Sequence, residues 1–172
     1  MPARVLVFLR RSVAGVTVKD LQDELGDADL WTLAEALNLP EGEEAAVKAM
    51  KKVLRFESDD PSDIDGLEIH WHAKQRPIQL RRAPPIDGEL DETLELLAGK
   101  GGKNADRVRK VLRETKEVVE FEMGVDGSLH LAATISEVLG FFLAERGDGL
   151  VFFYHRDFAA PDDRGTNLVT VT

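Results

Sequence analysis

The chain contains no cysteine, which excludes disulfides, thiolate metal sites and cysteine nucleophiles. No apolar run approaches the length needed to span a bilayer. The start, MPARVLVFLRRSV, carries a short apolar run (VLVFL) with arginine on both sides and no small-residue cleavage site. It reads as a first strand rather than a signal peptide. Positive charge is also scarce: 22 Lys and Arg against 32 Asp and Glu give a net charge of −10. A surface of that sign repels nucleic-acid phosphates and anionic membranes; it steers a basic protein partner inward, and it also keeps a chain soluble. GxSxG, HExxH, SxxK and the kinase and dinucleotide fingerprints are all missing, so no catalytic nucleophile and no cofactor is indicated. With 43% hydrophobic and 31% charged residues, the composition is that of a globular protein, expected to form one cytoplasmic domain over 1–172.

The clearest binary pattern is Gly66 to Arg82, GLEIHWHAKQRPIQLRR. Leu67, Ile69, Trp71 and Ala73 alternate with Glu68, His70, His72 and Lys74, as on a strand with one apolar face and one polar face. Ile78 and Leu80 alternate with Gln79 and Arg81 behind Pro77, and the two runs predict a hairpin. Upstream, Arg4 to Arg10 is apolar on both sides, the mark of a central strand. Thr17 with Asp20 predicts a capped helix ending at Gly26. Helices over 30–37 and 43–54 follow as an insertion spanning 27–54, and 58–66 reads as an acidic loop. A short helix through Leu90, Leu94 and Leu97, a glycine-rich link and a helix from Asn104 lead to EVVEFEM, a strand with Glu120 and Glu122 outward. From Ser128 to Arg146 apolar residues keep helical spacing. A rival reading makes 128–133 the return strand of an Asp-Gly hairpin. LVFFY is an apolar strand, 157–165 a loop, and 167–172 an edge strand.

The order of the first six units predicts an α+β fold, a ferredoxin-like (split βαβ) antiparallel sheet with helices on one face, and 128–172 as a C-terminal extension. The other sheet face would then present Glu68, His70, His72, Gln79 or Arg81, Glu120 and Glu122 together. Two chemistries suit such a face. A partner-binding surface for a basic protein would use Glu68, Glu120 and Glu122 with the loop acids Asp59, Asp60 and Asp63. Alternatively, His70 and His72 on one side of a strand have a spacing used by some zinc and iron sites, with Glu68 as a third ligand and His155 or Glu120 as a distant fourth. The plainer account of the pair is a solvated strand face. The loop GKGGKN precedes a helix, but it lacks the Ser/Thr and the preceding strand of a phosphate loop and reads as a linker.

The C-terminal segment LHLAATISEVLGFFLAERG, running through a glycine turn into LVFFYHRDF, resembles the ending of small bacterial α+β proteins, among them immunity proteins that neutralise polymorphic toxins. The resemblance spans residues 129–158 and implies a compact, acidic, cysteine-free cytoplasmic inhibitor that binds its toxin directly. It assigns no residue a role.

Overall fold

The computed structural model describes residues 2–28, 43–124, 130–163 and 166–171. The helix expected over 30–37 and the Asp126-Gly127 turn lie outside these residues. One antiparallel sheet of eight strands organises what is described: β1 (Ala3–Leu9), β2 (Arg55–Glu57), β3 (Glu68–His70), β4 (Ile78–Ala83), β5 (Glu117–Met123), β6 (Gly149–Phe153), β7 (Asp157–Ala159) and β8 (Asn167–Thr170). Its order is β2-β3-β4-β5-β1-β6-β7-β8. Helices α1 (Val18–Asp27), α2 (Glu43–Val53), α3 (Glu89–Glu95), α4 (Lys103–Glu114) and α5 (His130–Arg146) connect the strands.

The α+β class is as expected, but the strand order is not that of a simple split βαβ. There the helix-joined strands run parallel with another strand between them. Here β4 and β5, joined through α3 and α4, lie side by side and antiparallel. The C-terminal unit is also no appendage. β6 pairs with β1 from Val5↔Phe153 to Leu9↔Gly149, so β1 is central between β5 and β6. Two short strands fall where none was expected. β2 occupies the junction between the α2 helix and the acidic loop, and β7 lies inside the segment read as a loop.

The expectation of helices on one face is corrected by two cores, one on each side of the sheet. The first gathers Val5, Val7, Leu9, Val119, Phe121, Ile69, Leu80 and Val151 beneath α1, α5 and Met50 of α2. The second gathers Leu6, Phe8, Val118, Leu150, Phe152 and Phe158 beneath Ala105, Val108, Val111 and Leu112 of α4, with Leu90 and Leu94 of α3 at its margin. Phe152 and Phe158 are cross-strand partners stacked with ring centroids 4.1 Å apart, the kind of pair that fixes register between neighbouring strands. β1 is apolar on both sides because both sides are covered.

Local signals placed the helices well. Thr17 Oγ1 accepts the Asp20 N–H at 3.2 Å while Asp20 Oδ2 accepts the Thr17 N–H at 2.9 Å, a reciprocal capping box that satisfies two otherwise orphan donors. The α1 helix passes through Gly26 to Asp27. Residues 130–133 are helical, so the long α5 replaces the strand alternative there. α5 lies close against the sheet, where a Cβ on Gly140 would touch Val151 at 3.5 Å and Val5 and Val7 at 3.7 Å.

Candidate functional site

The second core ends where the sequence turns polar. On that side of the sheet, beyond Val118 on β5 and Leu6 on β1, residues alternate outward as Glu120, Glu122, Gln79, Arg81, Glu68 and His70. No helix among the described residues covers them. Register aligns Glu57, Glu68, Gln79, Glu122 and Arg4 in one row across β2, β3, β4, β5 and β1. With strands spaced at 4.7–4.9 Å, such a five-strand row spans about 19 Å. Three carboxylates and one amide precede the single arginine at its end. The next row sets Arg81 opposite Glu120.

The predicted site residues divide on this geometry. Glu68, His70, Glu120 and Glu122 share the open face, as the alternation implied. Arg4 braces the last two, with Nε 3.3 Å from Glu120 Oε1 and Nη2 3.2 Å from Glu122 Oε2. Glu68 Oε1 accepts from the Gln79 amide at 3.4 Å. His72 lies beyond the end of β3, exposed, with Nδ1 accepting the Lys74 N–H at 3.0 Å. Trp71 between the two histidines is buried on the opposite side and donates through Nε1 to the Arg76 carbonyl at 3.1 Å. His155 occupies the β6–β7 turn, edge-on to Phe152.

The loop acids serve the loop. Asp60 Oδ1 accepts from the Ser62 N–H at 3.0 Å and from its hydroxyl at 2.6 Å. Asp63 accepts the Asp65 N–H at 2.9 Å and pairs with Arg82 at 3.2 Å. Asp59 is exposed. The glycine-rich link is a helix-to-helix connection, closed by Arg109, whose Nη2 donates to the carbonyls of Leu97 and Lys100.

Sequence reasoning missed Arg4, Arg55 and Glu57. Arg55-Phe56-Glu57 is an alternating triplet at the end of a helix, too short to register as a strand on its own. It places Glu57 opposite Glu68 and Arg55 opposite His70. The side chains of Glu57, Glu68 and His70 converge: His70 Nε2 lies 3.1 Å from Glu57 Oε2 and 3.5 Å from Glu68 Oε2. Arg55 Nη2 also reaches Glu57 Oε2, at 3.1 Å.

No protein-family model, no curated protein and no solved structure matches the chain. Among the described residues no helix is long and apolar enough to cross a membrane.

Several carboxyls titrate below their ordinary range. Asp63 is held down by the Asp65 N–H and then by Arg82, against the cost of desolvation. The backbone and hydroxyl of Thr17 do the same for Asp20, and Arg107 does so for Asp162. A carboxylate whose folded pKa is depressed adds stability that is present above its unfolded value, about 3.9 for Asp. That stability is lost as pH falls through the folded value. Thermal midpoints are therefore expected to hold above about pH 5 and to fall below about pH 4. Asp63→Asn should flatten part of the fall, and an unchanged acid limb in that variant would remove Asp63 from the account.

Proposed function

We propose that the chain is a non-enzymatic binding protein, immunity-like, that holds a basic protein partner, a toxin, against the open half of its sheet. The observation that carries this reading is the row Glu57, Glu68, Gln79, Glu122 and Arg4 on a face that no described helix covers. A strand face is rigid, so its carboxylates meet a partner at fixed spacing without ordering a loop first. Lysines or arginines of a partner laid across the strands complement Glu57, Glu68 and Glu122, while Arg4 at the end of the row fixes polarity. The acidic loop 58–66 joins β2 to β3 and brings Asp59 and Asp60 to the same end as Glu57 and Glu68. The net charge of −10 extends the attraction beyond contact range and accelerates encounter. The resemblance of residues 129–158 to immunity proteins supplies the partner class and a cytoplasmic setting. The absence of a nucleophile motif in the sequence agrees with inhibition by binding.

The test is the association rate with the partner recovered from the native cell, titrated against salt. The rate is expected to fall steeply with ionic strength. The charge reversals Glu68→Lys and Glu122→Lys together should slow association about tenfold or more at low salt, the lower end of electrostatic steering. A rate indifferent to salt and to both reversals would sink the reading.

A further inference from the structure

We infer that Glu57, Glu68 and His70 form a binding site for a divalent cation of the zinc class. The site lies at the outer end of the open face but does not depend on the partner reading, because it is measured with metal alone.

The first argument is donor geometry. One ligand atom from each of the three side chains lies within 4.8 Å of the other two. A tetrahedral zinc with bonds of about 2.0–2.1 Å sets its ligand atoms roughly 3.3 Å apart. The His70 nitrogen stands 3.1 and 3.5 Å from the two carboxylate oxygens, on either side of that value. Small side-chain adjustments would close the set, and the backbone holds it in place. Glu57 and Glu68 are opposite one another in the β2–β3 ladder, and His70 is two residues on, on the same face.

The second argument is independent of distance between ligands. His70 Nε2 is buried and forms no hydrogen bond, although both carboxylates are near. A buried ring nitrogen left without a hydrogen bond is costly. A bound ion would take its lone pair directly, and a ligand nitrogen points between its fellow ligands rather than at either one. Gln79 adds the orienting contact common behind metal carboxylates: it donates to Glu68 Oε1, while Oε2 is the oxygen nearer His70.

The donor set also selects the ion. One imidazole with two carboxylates suits zinc, manganese, iron or cobalt better than magnesium or calcium, which favour all-oxygen shells. Three protein ligands leave a fourth position for water or a donor from a bound molecule. A cleft of about 490 Å³ lined by Arg55, His70, His72 and Lys52 adjoins the site. Arg55 occupies the place of a competitor, because its guanidinium contacts the same Glu57 oxygen that would hold the ion. Binding therefore requires Arg55 to swing away, and its 65% side-chain exposure leaves it free to do so.

The experiment is calorimetric titration of the untagged full chain with zinc, alongside cobalt(II) absorption, which reports coordination geometry directly. One equivalent of zinc should bind, with intense visible cobalt bands of a tetrahedral site. Glu57→Gln and His70→Gln should each weaken binding at least about 100-fold, the upper end of what loss of an orienting contact alone costs. His72→Gln should leave it unchanged, and Arg55→Gln should tighten it several-fold. All four positions are partly or fully exposed to solvent, so circular dichroism is expected to show native folding in each variant. Absence of stoichiometric binding, binding untouched by Glu57→Gln or His70→Gln, or binding lost in His72→Gln would each overturn the site. None of these outcomes bears on the salt dependence of partner association.

Discussion

Gly149→Ala is expected to destabilise the protein by at least about 3 kcal/mol, the upper range for overpacking a tight site. A Cβ at Gly149 would sit 2.0 Å from the Phe8 carbonyl oxygen and 3.1 Å from the Leu9 Cα. Those are backbone atoms of the central strand, so no rotamer change relieves the clash. The alternatives are to pull β6 off β1 or to break the turn that delivers it. That turn is short. The Gly147 N–H bonds to Leu143 O at 2.8 Å, closing α5, and the Arg11 N–H bonds to Gly147 O at 2.9 Å, tying the turn to the end of β1. Against a typical total stability of about 5–15 kcal/mol, such a loss leaves little margin. Gly26→Ala is the internal control. It lies inside α1 with nothing within 4 Å of the added carbon, and should stabilise by up to about 1 kcal/mol through helix propensity. Denaturant midpoints of the two variants should move in opposite directions. A Gly149→Ala midpoint close to wild type would mean that β6 does not approach β1 as described.

Arg82→Met should cost about 3 kcal/mol, because it strips the cation from a largely buried carboxylate. Glu117 has only 9% of its side chain exposed, and Arg82 Nη1 stands 3.0 Å from its Oε2. The same carboxylate accepts the Val13 N–H and the Ser12 hydroxyl, both at 2.9 Å. Arg82 Nη2 meanwhile reaches Asp63, so one guanidinium joins β4, β5, the segment after β1 and the acidic loop. The ion pairs of Arg4 with Glu120 and Glu122 are more exposed, and removing Arg4 should cost no more than about 1 kcal/mol. Adding Glu117→Gln to Arg82→Met should recover part of the loss, since the double variant buries no unpaired charge. A double variant that loses as much as the two single changes added together would show that Arg82 and Glu117 are not coupled.

The sequence by itself determined the elements whose signals are local. Thr17 with Asp20 announced α1, because a capping box is contained in four consecutive residues. The unbroken apolar spacing through 130–146 favoured α5 over a hairpin, and the two-sided apolar run of β1 marked it as a central strand, although helices were expected on one face only. Alternation also placed Glu68 with His70, and Glu120 with Glu122, on one side of their own strands, since period two fixes side-chain direction within a strand; the pairing through β4 put the two sets on one face. It did not carry past the end of β3, where His72 leaves the ladder.

The tertiary structure alone decided which strands are neighbours. Nothing in β5 states that it pairs with β4 on one side and β1 on the other, because strand pairing joins residues distant in sequence, more than a hundred positions apart for β1 and β5, through surfaces that many partners fit. That choice turned an expected split βαβ into an eight-stranded sheet and made the C-terminal strands β6, β7 and β8 one end of it, joined to β1. It also set α3 and α4 over only half of the second face. Finally, it raised Arg55-Phe56-Glu57, a triplet with too little pattern to identify itself, into an edge strand. That pairing carries Glu57 to Glu68 and His70, a convergence made wholly by the sheet.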